Sequence, residues 1–172
     1  MGLRPYDLLD IRQLAKYLNV EVIPADHLID RARFEELERL QPGAFSAATF
    51  HLPDGRTVAV YNPYNDPEHT NSDRRTNSDI GHELAHILLD HDVREIQQLS
   101  GHTFITCNPE QEEEATWLAG CLLLPRPLLL REAYAGTSAE AIAAKYQVSQ
   151  HMARFRLNTS GVLLQARRTR RN

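Results

Sequence analysis

The sequence predicts an α+β fold that is mainly helical, with a small antiparallel or mixed sheet and closing C-terminal helices. Apolar residues recur with helical periodicity over residues 7–18, 109–124 and 128–157. Short runs that favour strands are instead concentrated between residues 20 and 61. With 172 residues, of which 42% are hydrophobic and 24% charged, the chain can form one domain with its own core.

The N-terminal part predicts a helix at 7–18, a strand at 20–23 and a second, polar helix within 25–40. Residues 44–52 and 56–61 predict two strands, because Pro53-Asp54-Gly55 between them is a typical hairpin turn. A polar loop is expected over 62–77, with Ser78 or Asp79 capping the next helix. A sheet beside that helix would offer an edge strand that can hold an extended peptide by backbone hydrogen bonds.

That next helix carries an H-E-x-x-H motif, His82-Glu83-Leu84-Ala85-His86. Two histidines four positions apart lie on one face of a helix, so both imidazoles can bind one metal ion. Glu83 lies slightly round the helix, where its carboxylate can contact a water on that metal. These are the parts that zinc-dependent hydrolysis requires. The alternative to a metal site is a core helix whose histidines have no function. The apolar residues around the motif predict that this helix is buried, and buried histidines need polar partners such as a metal.

A catalytic zinc usually takes a third protein ligand, and the best source is the glutamate cluster that opens the helix at Pro109. Glu112 leads along that helix onto a stripe of small residues, which would allow a close approach to the motif helix. Glu112 is therefore the first candidate. Glu113 and Glu114 lead onto bulkier faces and remain alternatives, and all three could instead only stabilise the helix N-terminus through its dipole.

Several other polar residues lie near the motif in sequence. His91 would be about 140° round a continuing helix from His86, so we expect it to cap the helix or support a ligand rather than bind the metal. Asp90 and Asp92 could orient the histidines through their second ring nitrogens. The candidates for stabilising the oxyanion are Tyr61, Tyr64 and His102.

Charge and cysteine content limit the possible partners and compartment. The net charge of −4 is not that of a typical nucleic-acid-binding protein, although residues 161–172 predict a small basic tail. Cys107 and Cys121 have no C-x-x-C spacing and indicate neither a disulfide framework nor a thiolate metal site. The N-terminus has no apolar signal region, and the run at 118–130 is too short to span a bilayer. We therefore expect a cytoplasmic protein without membrane association.

Taken together, these motifs resemble the ImmA/IrrE family of metallo-endopeptidases. The H-E-x-x-H motif is one match, and residues 141–157 resemble the helical segment that closes the family's domain. The family signature E-x-x-A-N-x-F-A-x-x-L-L-M-P is similar to Glu112-x-x-Ala115-Thr116-x-Leu118-Ala119-x-x-Leu122-Leu123-Leu124-Pro125. There are departures, which we expect to affect packing and substrate contacts rather than ligand chemistry: Thr116 for Asn, Leu118 for Phe, and Asn77-Ser78-Asp79-Ile80-Gly81 for R-F-T-[IL]-A.

The resemblance implies a zincin-like peptidase domain over residues 1–160, which includes a helix-turn-helix-like segment at 138–157. It implies Zn²⁺ as the cofactor, bound by His82, His86 and Glu112, with Glu83 as the general base. Members of the family typically cleave a helix-turn-helix repressor encoded nearby and so control phage, mobile-element or stress genes. The implied partner is therefore a protein substrate.

Two other functions are consistent with the sequence. Residues 139–157 could form a DNA-binding helix-turn-helix, with Gln150, His151, Arg154 and Arg156 on its second helix, although the acidic net charge argues against direct nucleic-acid binding. The chain could also be a catalytically silent zinc protein that acts by binding a partner. The presence of Glu83 argues against that interpretation.

Overall fold

The computed structural model describes residues 2–4, 6–28, 30–40, 45–64, 72–91, 95–99, 102–106 and 108–169. Helices predominate in these ranges, and a mixed three-stranded sheet lies beside the central helix. The predicted α+β class is therefore confirmed, and the sheet is of the mixed kind. No helix in the described ranges is long and apolar enough to cross a membrane.

The first helix, α1 (Ile11–Tyr17), begins where Asp10 accepts hydrogen bonds from two backbone N–H groups of the first turn. The predicted start at residue 7 is too early, because this cap fixes where the helix begins. The buried face of α1 packs on the central helix. Asn19 then takes a left-handed φ of 57°, which turns the chain directly into β1 (Val20–Pro24).

The second predicted helix is confirmed within residues 25–40, and a separate short helical turn precedes it. A single 3-10 turn, Ala25–His27, follows β1, and α2 (Arg31–Leu40) comes after it. The Asp30 carboxylate accepts a hydrogen bond from the backbone N–H of Ala32. Asp30 therefore caps α2 and separates it from the 3-10 turn.

The three-stranded sheet is formed by β1, β2 (Ala47–His51) and β3 (Thr57–Tyr61), in the order β1-β3-β2. Central β3 is parallel to β1 and antiparallel to β2. The predicted hairpin is confirmed, and Gly55 closes its turn with a left-handed φ of 84°. The topology leaves β2 at the edge of the sheet.

The central helix, α3 (Ser72–Leu88), begins well before the predicted cap at Ser78 or Asp79. The predicted loop over 62–77 is therefore wrong at its C-terminal end, and residues 65–71 of it lie outside the described ranges. Ser78 is buried inside the helix rather than at its start. Its hydroxyl donates to the carbonyl of Arg74, one turn earlier, so its polar group has a partner within the helix. The helix packs on β2 and β3 and completely buries Ile80, Leu84 and Ala85.

An antiparallel hairpin of β4 (Glu95–Leu99) and β5 (His102–Thr106) follows α3. The sequence analysis predicted no strand between the motif helix and Pro109, so it missed both strands. β5 contains residues that favour strands, such as Thr103 and Ile105, but glutamate and glutamine dominate β4 and obscure the pattern.

The next helix, α4 (Pro109–Leu123), starts as predicted, with Asn108 as its cap and a proline at its first position. Ala115 and Ala119 are fully buried, whereas Trp117 and Cys121 are exposed. The face that continues from Glu112 is therefore the face that enters the core. Its small side chains allow α4 to pack closely along α3.

The helices α3 and α4 pack closely at Gly81. A methyl group added to Gly81 would lie 2.9 Å from the Leu123 Cδ1 atom, so the leucine would have to move. The resembled family commonly has alanine at the position of Gly81. This departure therefore acts on helix packing, as expected.

The chain ends in α5 (Arg126–Ala135), α6 (Ala139–Tyr146), α7 (Gln150–Thr159) and α8 (Val162–Thr169). The segment predicted as a basic tail includes α8, which packs on α5 and buries Val162 and Ala166. Residues 170–172 of that tail lie outside the described ranges. The domain division at residue 160 stays a prediction.

A buried carboxylate connects α5 to α6. Glu132 is 3% exposed and accepts hydrogen bonds from Lys145 Nζ at 2.8 Å, from Thr137 Oγ1 at 2.9 Å and from the Tyr146 hydroxyl. Burial raises the pKa of Glu132, but the donated hydrogen bonds outweigh it and lower the pKa to about 2. Glu132 is therefore ionised in the folded protein over a wide pH range.

We expect Glu132→Gln to lower the free energy of unfolding at neutral pH by about 2–4 kcal/mol, because the donors lose their charged acceptor. The folded pKa lies below the ordinary value of 4.5, so this contribution is complete above that value and is lost as pH falls towards 2. Urea denaturation across this range should show the gap between wild type and variant closing. Glu140→Gln is the control and should cost much less, because its pair with Arg154 is exposed. A pH-independent gap would contradict the assignment.

Candidate metal centre

The helices α3 and α4 bring together the three predicted ligands, and one ligand atom from each of His82, His86 and Glu112 lies within 4.8 Å of the others. His82 Nε2 is 3.0 Å from both Glu112 Oε2 and His86 Nε2. His86 Nε2 is 3.6 Å from Glu112 Oε1. Of the three glutamates considered as third ligand, Glu112 is the one whose carboxylate reaches both histidines.

The chemistry of this cluster fits a divalent metal ion. His82 Nδ1 lies 3.5 Å from Thr116 Oγ1, and His86 Nδ1 lies 2.9 Å from His91 Nδ1. With the ring protons on these Nδ1 atoms, both Nε2 atoms present lone pairs to each other and to the Glu112 carboxylate. Such a convergence of electron-rich atoms is unfavourable unless a cation lies among them. Two imidazoles and one carboxylate are a common donor set for such ions.

Glu83 follows His82 directly and is nearly fully buried at 3% exposure. Its Oε2 atom accepts a hydrogen bond of 2.8 Å from the Thr49 hydroxyl on edge strand β2. The bond fixes one side of the carboxylate against the sheet. Thr49 could not be found from the sequence, because a threonine in a strand is ordinary and the contact joins residues 34 positions apart.

Thr116 stands where the resembled family has asparagine. The sequence comparison assigned this departure to packing or substrate contacts, but the hydroxyl lies 3.5 Å from the His82 ring nitrogen Nδ1. Thr116 therefore contacts a predicted ligand itself. The distance is long for a hydrogen bond, so the support it gives to His82 is weak.

His91 lies behind His86 and is not one of the three clustered residues. Its Nε2 atom is 3.1 Å from Glu114 Oε2. Glu114 therefore contacts His91 and is not part of the three-residue cluster. Glu113 is exposed. Asp90 has a left-handed φ of 53° at the end of α3, and Asp92 lies outside the described ranges.

The oxyanion candidates are engaged elsewhere or are not described. The Tyr64 hydroxyl donates to Asp26 at 2.8 Å, which raises the pKa of Tyr64. The Tyr61 ring lies under the Arg12 guanidinium, 5.4 Å from its carbon. The side chain of His102 is outside the described part of the structure. No residue is therefore assigned to the oxyanion.

The alternative DNA-binding function was predicted to use four polar side chains of α7, and the structure buries one of them. Arg156 is 3% exposed and its guanidinium donates to the carbonyl of Leu124, so it holds α7 against the end of α4. Arg154 is exposed but forms an ion pair of 2.7 Å with Glu140. Gln150 and His151 are exposed. Of the two arginines predicted to contact DNA, one is therefore buried between helices and the other is paired with a carboxylate of α6.

An H-E-x-x-H helix with a third candidate ligand from a neighbouring helix is the architecture of a metallopeptidase. The family model of the peptidases M78, described as the IrrE N-terminal-like domain, matches residues 67–158, just over half of the chain. The chain belongs to this family, and the resemblance to ImmA/IrrE proteins is confirmed. No curated protein and no solved structure matches the chain.

Proposed function

We propose that the chain is a zinc-dependent endopeptidase whose metal ligands are His82, His86 and Glu112. The observation that carries the proposal is the convergence of two imidazole nitrogens and a carboxylate beside a buried glutamate. Two histidines and a glutamate are a donor set of catalytic zinc in peptidases, where the fourth position is kept for water. Membership of a peptidase family supports the same reaction.

When bound, zinc would acidify a water molecule and polarise the scissile carbonyl. Glu83 accepts the proton of the attacking water and returns it to the leaving nitrogen. Thr49 holds the Glu83 carboxylate from the sheet side through its hydroxyl. The position of the proton acceptor is therefore set by β2 as well as by α3.

The position of β2 indicates how a substrate could bind. One edge of β2 pairs with β3, and no other described strand pairs with its second edge. An extended peptide can add to such an edge by backbone hydrogen bonds. Because Thr49 of this strand contacts Glu83, a peptide added here would lie close to the proposed base. This arrangement favours cleavage within an extended segment of a protein.

For the substrate we propose a helix-turn-helix repressor, with control of phage, mobile-element or stress genes as the role. The support is the family resemblance carried by the motif and the Glu112 helix. We also propose a cytoplasmic location, because the exposed free thiol of Cys121 suits a reducing compartment.

The test is to incubate the purified chain with a helix-turn-helix repressor encoded beside its own gene. We expect internal cleavage that a chelator prevents and that added zinc restores. Cleavage that persists in the chelator would overturn the metal mechanism. Tight zinc binding without cleavage would instead favour a silent zinc protein that acts by binding a partner.

A further inference from the structure

We propose that His91 and Glu114 form a hydrogen-bonded relay that fixes the ring orientation and tautomer of His86 and so strengthens metal binding. The inference rests on the proposed function, because it concerns the same metal centre. It assigns a positioning role to two residues outside the proposed ligand set. Three observations carry it: the backbone bend after α3, the atoms that meet, and the burial of the middle residue.

The backbone bend brings His91 back to the centre. On a continuing helix His91 would lie about 140° from His86 and could not reach it. Instead, Asp90 takes a left-handed φ of 53°, and the backbone N–H of His91 donates to the carbonyl of His86 at 3.1 Å. This six-residue return is a Schellman-type helix end. It places the two imidazoles edge to face, with ring centres 5.0 Å apart.

The atoms that meet define the direction of the relay. His86 uses Nε2 to face His82 and Glu112, so its ring proton belongs on Nδ1 for metal binding. Nδ1 then donates to His91 Nδ1 at 2.9 Å, and His91 in turn donates from Nε2 to Glu114 Oε2 at 3.1 Å. In both hydrogen bonds of the relay a donor therefore meets an acceptor. A carboxylate at the far end makes the intervening histidine a better acceptor for His86.

The burial pattern shows where water is kept away from the relay. The His91 side chain is 6% exposed, whereas that of Glu114 is 65% exposed. The hydrogen bond between His86 and His91 is therefore shielded from competing water, whereas the Glu114 carboxylate at the far end is solvated. Among the residues that the structure describes, the equivalent nitrogen of His82 has only the long 3.5 Å contact to Thr116, so the relay makes His86 the more firmly held ligand.

The first measurement is the zinc dissociation constant, obtained by competition with a chromophoric chelator. His91→Leu removes the acceptor and should weaken zinc binding by about 10–100-fold. His91→Asn places an amide oxygen near the position of Nδ1 and should recover most of the lost affinity. Urea unfolding of the metal-free proteins reports separately whether either variant is merely less stable. Recovery by asparagine is not expected if His91 only fills space.

The second measurement tests whether Glu114 acts through His91. Glu114→Ala should weaken zinc binding by about three- to tenfold, the value of one hydrogen bond. Glu113→Ala removes an equal charge from the same helix turn and is the matched control, expected to change the constant by less than about twofold. In the His91→Leu background, Glu114→Ala should have no further effect beyond that of Glu113→Ala.

The outcomes separate the relay from the proposed function. Wild-type protein that binds no zinc would overturn both. If the wild type binds zinc and His91→Leu binds it equally tightly, the relay is wrong and the proposed metal site stands. Equal effects of Glu114→Ala in both backgrounds would limit Glu114 to a general electrostatic influence and overturn its place in the relay.

Discussion

Glu83→Gln is expected to slow cleavage of the protein substrate by about 10³–10⁴-fold while zinc binding stays nearly unchanged. Glutamine has the shape of glutamate and can still accept the hydrogen bond from Thr49 through its amide oxygen. It cannot take a proton from water or return one to the leaving nitrogen. The loss should therefore fall on the chemical step and not on folding or metal binding.

The measurement compares cleavage rates at saturating enzyme with zinc content determined on the same preparations. Glu113→Gln is the matched control, because Glu113 is exposed and is not part of the metal cluster, and its rate should equal that of the wild type. A Glu83→Gln variant that keeps more than about a tenth of the wild-type rate would show that another group accepts the proton.

The proximity of His82, His86 and Glu112 was predictable because it follows from two short-range regularities. The four-residue spacing places both histidines on one face of α3, whatever the rest of the fold does. Glu112 follows from the small residues of α4, which select the face that packs against α3. Both arguments need only helical geometry and side-chain size, which the sequence contains.

The contacts that support these residues depend on information that the sequence does not display. Thr49 reaches Glu83 only because the sheet order places β2 at the edge beside α3. The supporting position expected for His91 agrees with its contact to His86, but the bend that makes the contact, at the left-handed backbone of Asp90, was not predicted. Aspartate tolerates a left-handed conformation but does not require it, so the sequence did not predict the bend.

The fold was predictable to a similar extent and for similar reasons. The start of α4 at Pro109 was predicted correctly, because a proline preceded by Asn108 has strong local capping chemistry. The start of α3 was missed because its first turns are polar, and their burial depends on packing against distant residues. Ser78, for example, accepts a hydrogen bond from the backbone N–H of Ser149. Tertiary contacts of this kind override local polarity.

The second large effect is expected at Glu112. Glu112→Gln replaces a charged carboxylate with a neutral amide that binds zinc poorly, and the two histidines then have to hold the ion with less help. If the binding energy of a four-ligand zinc site is shared roughly equally, losing one ligand weakens affinity by about 10²–10³-fold. Cleavage should be lost in parallel at low zinc concentration.

The same substitution at the two neighbouring glutamates decides which carboxylate binds the metal. Glu112→Gln should have the largest effect on zinc affinity, Glu114→Gln a small one through His91, and Glu113→Gln none. This order follows from where each carboxylate lies. That of Glu112 is 3.0 Å from His82 Nε2, and that of Glu114 is 3.1 Å from His91 Nε2. The Glu113 side chain is exposed to solvent. A role of all three only in stabilising the α4 N-terminus predicts similar small effects at each position. Zinc affinity that falls most for Glu113→Gln or Glu114→Gln would move the third ligand to that residue.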